Sequence, residues 1–474
     1  LRFSPGGIGE GGLVFVSGNP GRTERLLTMA QLDLLRDVET PFVLEVVTRR
    51  YRDLRKFAAA SAENARIASD EVLGLENALK AYKGRYAGLM DAELMGKKAA
   101  DEAALRAAVE RSPAMKAAYG EAWDAIARTV EREKRLYTPY YFIEGMGGFA
   151  GTEPRLARLL LRLAVEKQKP NEQRLREFTE SRLPSLEQQL FSTAPVHKSL
   201  DTVLLASSLA LMRDHLGAEN PVVKLVLKGM TPQAVAKEAI ENTRINDVAF
   251  RRQLYEGGLP AIEQSADRLI ALMRELDPEA RELRKQWEDQ VESALRENGT
   301  LIAKARFAAP TLPNAKPALD GGSGAGTELY PDATFTLRLS YGAVKGYRQG
   351  GQMIPYTTTL KGAFERAAKH GNKSPYELPE SWLAAKTKLS LNTPFDFVST
   401  ADIVGGNSGS PVVDRKGEVV GIVFDGNLQS LPWDFQYDDR QGRGIQVDSR
   451  AILESLRVIY HADALADELM RGRK

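Results

Sequence analysis

The apolar positions follow two different rhythms along this chain. From about Met29 to Arg306 glycine is sparse, alanine, leucine, glutamate, lysine and arginine dominate, and apolar residues recur at helical spacing. Ile262, Ala266, Leu269, Met273 and Leu276 step by four, three, four and three, which predicts one helix carrying a single apolar stripe. Thr231-Pro232 predicts a helix start, with the hydroxyl as N-cap and the proline in the first turn, where its missing N–H is no loss. Leu156 to Val165 and Thr202 to Leu216 are more apolar and predict more deeply buried helices. Stripes of this kind are bundle core before they are cofactor sites, and no self-similarity at a solenoid period appears.

Outside that region the rhythm shortens. Leu13-Val14-Phe15-Val16 runs into the turn Gly18-Asn19-Pro20-Gly21-Arg22-Thr23 and predicts a lone strand, whose sheet partners are expected upstream of residue 1. Pro310 to Gly326 is proline-rich and then glycine-rich, the composition of an exposed loop. Thr334 to Ser340 then alternates with period two, and Val344 to Tyr347, Thr357 to Leu360, Leu389 to Leu391 and Phe397 to Ser399 are further short strand candidates. Pro411 to Phe424 reads strand, turn at Asp414 to Gly417, strand; Gly444 to Val447 adds another, and a helix over Ser449 to Tyr460 closes the set. The expected divisions are 1–28, a strand left over from a first barrel; 29–306, a helical domain; 307–328, a loop; 329–460, a small antiparallel barrel with its closing helix; and 461–474, a tail.

Composition narrows the function classes. At 474 residues the chain exceeds one ordinary core, and 43% hydrophobic with 27% charged residues describes a soluble globular protein. A formal charge of +2 gives no reason to expect nucleic acid or an anionic membrane as partner, and no apolar run reaches membrane-spanning length. With no cysteine there is no disulfide, thiolate metal site or cysteine nucleophile, and neither a metal nor another cofactor is expected. Leu1 to Gly12 lacks the basic and apolar regions of a signal peptide, so the chain is expected to be entered part-way.

The candidate chemistry centres on Gly405-Gly406-Asn407-Ser408-Gly409-Ser410-Pro411. A serine between glycines, with an apolar strand on each side, suits a nucleophile at the head of a tight turn. The form G-[DN]-S-G-[GS]-P resembles the nucleophile loop of chymotrypsin-fold serine peptidases, which implies Ser408 as nucleophile and the N–H groups of Gly406 and Ser408 as the oxyanion hole. A serine hydroxyl needs a base, usually a histidine oriented by a carboxylate. None of His197, His215, His370 and His461 sits in a strand-end setting suited to that role. The triad histidine and aspartate are therefore expected to lie in first-barrel residues outside this sequence.

Gly18 to Arg25, Tyr330 to Gly342, Ser399 to Pro411 and Phe424-Asp425-Gly426-Asn427 together resemble the bacterial dipeptidyl-peptidase 7 and 11 family, over essentially the whole chain. That resemblance implies an α+β multidomain, chymotrypsin-like fold with a large inserted helical domain, and a serine exopeptidase that releases dipeptides from a free N-terminus without cofactors. It implies Asp425 and Asn77 as binders of the substrate ammonium. It also implies Gly426 as the residue tuning the primary pocket, where glycine in place of arginine favours a hydrophobic second residue. A periplasmic or cell-surface setting in a Gram-negative bacterium is implied, and a homodimer is compatible with it. Two other readings are a non-catalytic peptide-binding remnant and a stress-type trypsin-like endopeptidase; the latter calls for a peptide-carboxylate-binding domain after the barrel.

Overall fold

The computed structural model describes residues 2–309 and 332–472; the Pro310 to Gly326 segment and Tyr330-Pro331 lie outside the described residues. The chain divides into two compact units. One comprises Thr28–Lys83 and Ala99–Thr327, the other Leu1–Leu27, Gly84–Lys98 and Glu328–Lys474.

The described residues of the first unit form helices. The helix at Pro232–Glu241 begins as its sequence predicts, with Thr231 Oγ1 accepting from Ala234 N at 3.2 Å. Leu156 to Val165 falls in the helix Thr152–Glu166 and Thr202 to Leu216 in Lys198–Leu216, and both contribute to the largest apolar cluster. The stripe from Ile262 to Leu276 is not one helix. Val248–Gln264 ends before Ser265, and Arg268–Trp287 begins after Asp267, whose carboxylate accepts from Leu269 N and Ile270 N at 3.1 and 3.3 Å. An N-cap breaks the backbone where the apolar period continues, and Ile262, Leu269, Met273 and Leu276 are all fully buried nonetheless. Charge is buried here as well: Arg158 and Arg162 both reach Glu144, at 2.6 and 2.8 Å, and both pair with Asp277, so the ions removed from water are matched.

Among its described residues the second unit has nine strands: β1 (Leu13–Gly18), β2 (Arg338–Ala343), β3 (Tyr347–Gln349), β4 (Gln352–Ile354), β5 (Thr357–Thr359), β6 (Pro394–Ser399), β7 (Pro411–Val413), β8 (Val419–Gly426) and β9 (Gly444–Asp448). Seven of them form an antiparallel sheet in the order β2-β1-β7-β8-β9-β6-β5; β3 and β4 make a separate hairpin. β1 is thus not a lone strand awaiting partners upstream. It lies between β2 and β7, with Phe15 opposite Tyr341 on one side and Val413 on the other. At one end the sheet curls back, since Ala343 O accepts from Thr400 N at 3.0 Å and Lys345 N donates to Val398 O at 3.2 Å. Val14, Val16, Phe397, Val412 and Val420 fill the interior.

Several strand limits differ from the sequence pattern. Thr334 to Leu337 alternates but precedes β2, because Phe335 adopts a φ of 64° that no strand continues through. Leu360 starts the helix Leu360–Lys369, capped by Thr359, and Leu389 to Leu391 is a turn whose leucines pack in a small cluster with Leu360 and Phe364. The closing helix spans Ser449–Val458, and Asp463–Arg471 follows it. Residues Gly84–Lys98 belong to this unit although they sit among helical sequence: Gly84 and Gly88 leave room for Leu431 and Pro432.

Candidate active site

The loop 404–410 lies in the connection from β6 to β7, and its own polar groups hold it. Asn407, only 2% exposed, accepts from Val404 N at 3.1 Å through Oδ1, while Asn407 N donates to Val404 O at 3.1 Å and Ser410 N to Asn407 O at 2.9 Å. Gly409 N and Val423 N tie the loop to β8, at 2.8 and 3.0 Å from Val423 O and Ser410 O. Gly406 has a φ of 103°, and a Cβ there would stand 2.6 Å from Asn19 O, so the turn tolerates glycine alone. Gly18 serves the same approach from the other side: a Cβ on it would meet Ser410 Oγ at 2.0 Å.

This scaffold leaves Ser408 exposed at the head of the turn, its hydroxyl donating to Phe424 O at 3.4 Å. Among the described residues, no acceptor lies on the N–H of Gly406 or of Ser408, which leaves two main-chain donors available beside the hydroxyl. Phe424 is the extra residue of a β-bulge, the register of β8 on β9 shifting between Val423 and Asp425. That bulge sets Phe424, Asp425 and Gly426 beyond the serine. Asp425 is exposed, not buried, and its Oδ1 accepts from Gly426 N at 2.8 Å. Gly426 pairs with Gly444 across the ladder, and a Cβ on it would meet Ser430 Oγ at 2.4 Å.

Ser408, Gly406, Asp425 and Gly426 therefore share one unit, with the serine bonded to the residue before Asp425. Asn77 is exposed on the helix Ala62–Leu89, in the helical unit. Among the described residues no hydrogen bond joins Ser408 to any of the four histidines; its hydroxyl bonds to Phe424 O. His370 follows the helix Leu360–Lys369 and stacks on Tyr376, ring centroids 3.9 Å apart, and His215 lies 3.3 Å from Glu45.

Sequence reasoning assigned no part to the residues that brace this loop. Gly21 N donates to Gly405 O at 2.7 Å, and Asp332 accepts from Thr23 Oγ1, Arg25 N and Leu26 N at 2.5, 2.8 and 3.0 Å. Arg25 grips Asp402 with both terminal nitrogens. Arg85 reaches Glu24 at 2.5 Å and Asp434 at 3.1 Å; burial pushes the Asp434 carboxyl up to about 6, against the pull of Arg85. Gly21, Thr23, Glu24, Arg25, Asp332 and Asp402 stand inside the motifs that marked the family resemblance, without a spacing that reveals the partner, whereas Arg85 and Asp434 lie outside them and carried no signal.

The comparisons with known proteins agree in direction. The peptidase S46 model matches residues 1–471. The Asp/Glu-specific dipeptidyl-peptidase of Shewanella putrefaciens is 25% identical over 507 residues, covering 99% of this chain and 66% of that protein. Dipeptidyl-peptidase 7 of Porphyromonas endodontalis is 25% identical over 478 residues, 94% of this chain and 53% of its own length. Dipeptidyl-peptidase 7 of Phocaeicola vulgatus reaches 40% over a shorter stretch of 146 residues, 29% of this chain and 20% of that protein. The crystal structure of Porphyromonas endodontalis DPP11 in complex with the dipeptide Arg-Glu has the same fold, with a TM-score of 0.73 at 19% identity over 99% of this chain and 66% of that one. This chain spans 66% and 53% of the two relatives that it matches nearly end to end. From the family match along almost its whole length, the chain belongs to the peptidase S46 family.

Proposed function

We propose that this chain carries the nucleophile part of a serine-type dipeptidyl aminopeptidase of chymotrypsin-like fold, which releases dipeptides from free N-termini and prefers a hydrophobic second residue. The observation that carries the reading is the Ser408 loop: an exposed hydroxyl at the head of a braced turn, with the Gly406 and Ser408 N–H groups unengaged among the described residues. In this reading Ser408 Oγ attacks the carbonyl carbon of the second residue while a base takes its proton, the two N–H groups stabilise the oxyanion, the amine of the third residue leaves with that proton, and water then hydrolyses the dipeptidyl ester on Ser408. Asp425 supplies negative charge for the substrate ammonium, and family resemblance adds Asn77 to that role.

Gly426 supports the hydrophobic preference, because it brings no cation to meet a carboxylate. The nearby Arg443 supplies none either, since its guanidinium donates to the carbonyls of Lys345, Asp439, Gly442 and Gly346. Where a relative's name states a specificity it is for Asp and Glu, so the assignment of a hydrophobic preference rests on this position alone. Ser408→Ala in the full protein is expected to abolish dipeptide release from a free-amine Xaa-Leu reporter while an Xaa-Leu dipeptide still binds. Retained turnover would sink the nucleophile assignment.

A second reading, a peptide-binding remnant without catalysis, is favoured by one observation: Ser408 has no hydrogen bond to a histidine among the described residues. It predicts dipeptide binding with no turnover, whereas catalysis calls for a base supplied from elsewhere in the protein. The resemblance extends the proposal to a periplasmic or cell-surface setting, which cell fractionation tests, and to a homodimer. Among the described residues no helix is long and apolar enough to cross a membrane.

A further inference from the structure

The helical unit holds a cavity that the chemistry above does not use. It lies where the helices Thr40–Ala58 and Lys198–Leu216 pack together, and its volume of about 460 Å³ falls in the range of pockets that hold small organic ligands. Arg49, Arg52 and Lys56 step by three and four along the first helix, so they share one face, and that face lines the cavity. The second helix contributes Val203, Ala206 and Ala210 with the same stepping, and Phe57 adds an aromatic ring. Cations and an apolar floor thus line one concave space.

The cations are not matched within it. Asp53, the carboxylate that lines the cavity among the described residues, accepts from the buried Ser207 hydroxyl at 2.7 Å and lies 3.6 Å from Arg52, which stays 72% exposed. Arg49 reaches Asp214 at 2.7 Å, but Arg213 shares that carboxylate at 2.8 Å. Lys56 is exposed and forms no ion pair among the described residues. The excess of positive charge favours an anion, and the floor favours one that carries an apolar body, since a bare anion would leave Val203, Ala206 and Ala210 in water. Gln233, on the helix Pro232–Glu241, completes the lining. Its carboxamide has no hydrogen-bond partner among the described residues and can both donate and accept, as a peptide group requires.

We propose that this cavity binds the C-terminal end of a peptide: the terminal carboxylate meets Arg52 and Lys56, an apolar last side chain covers the floor, and Gln233 pairs with the peptide group before it. A fatty acid would satisfy the cations and the floor but leave the Gln233 carboxamide unused, and a simple phosphate would use the cations alone. The assignment does not depend on the Ser408 reading, because it concerns other residues and the other end of a peptide.

Calorimetric titration of the whole chain with N-acetyl-Ala-Ala-Leu tests it, since acetylation removes the amine that the Ser408 reading requires. The free acid should bind about tenfold more tightly than its C-terminal amide, the effect of two exposed charge contacts, and added salt should narrow that gap. Arg52→Gln combined with Lys56→Gln should abolish the gap, Arg52→Lys should keep it, and glycine in place of leucine in the peptide should weaken binding of the acid. Equal binding of acid and amide by wild type overturns the inference without recourse to any variant, as does a gap that survives the double substitution. Octanoate binding as tightly as the tripeptide acid would mark a fatty-acid site, and inorganic phosphate displacing the tripeptide at equal concentration would mark a simple anion patch; either result also overturns it. The nucleophile reading stands or falls separately, on turnover by Ser408→Ala.

Discussion

Gly426→Arg offers a quantitative test of the specificity assignment. The backbone at Gly426 is not in the left-handed region, so a side chain is admissible there, but its Cβ would lie 2.4 Å from Ser430 Oγ. Ser430, 9% exposed, donates to Asn427 O at 2.8 Å, and must turn away. That rotation gives up one hydrogen bond, about 1 kcal/mol of stability. In return the guanidinium offers a charged hydrogen bond to an acidic second residue, roughly 1.5–3 kcal/mol. It also occupies and polarises the space in which a leucine side chain would be buried, a loss on the order of 1.5–3 kcal/mol. Discounting for partial exposure, the preference should swing by about 3 kcal/mol, on the order of a hundredfold, from hydrophobic toward acidic. Paired kcat/KM values for Xaa-Leu and Xaa-Glu reporters, or dissociation constants for the corresponding dipeptides, read this out. A variant that keeps its full preference for leucine and gains nothing on glutamate refutes the role given to Gly426.

Two further predictions concern the helical unit. Asp267→Ala removes the acceptor for Leu269 N, Ile270 N, Thr243 Oγ1 and Arg244 N and should destabilise by about 2–3 kcal/mol in chemical denaturation; an unchanged midpoint would mean that the break between the two helices is set elsewhere. Burial, reinforced by the charge of Asp201, pushes the Glu153 carboxyl up to about 7. The folded state then holds a proton that the unfolded chain releases from about pH 4.5 upward, so stability falls as pH rises through that window to about 7. Glu153→Gln should remove this slope, and parallel melting curves for variant and wild type between about pH 5 and 8 would contradict it.

What the sequence disclosed and what it hid follow from the range of each interaction. The strand–turn–strand after Ser408 was legible because the turn residues Asp414 to Gly417 lie between two β-branched runs, a signal contained in a few residues. Thr231-Pro232 was legible for the same reason. The place of β1 was not: its partners Arg338 to Ala343 and Val412-Val413 are hundreds of residues away, and a strand carries no local mark of its neighbour. Asp267 was masked because the apolar period passes through its cap undisturbed. At the site, the glycines and Ser408 stood out by composition, whereas Asn407 and the Arg25–Asp402 pair took on meaning only from geometry.

The central claim, an exopeptidase that reads the free N-terminus and cleaves through Ser408, is tested most directly by comparing an Xaa-Leu reporter with its N-acetylated form on the natural protein. Acetylation removes the ammonium assigned to Asp425 while leaving the second residue and the scissile carbonyl unchanged. The account predicts that kcat/KM falls by at least about a hundredfold, the loss of a charge-assisted contact worth roughly 3 kcal/mol. Equal cleavage of the free and acetylated forms would contradict it.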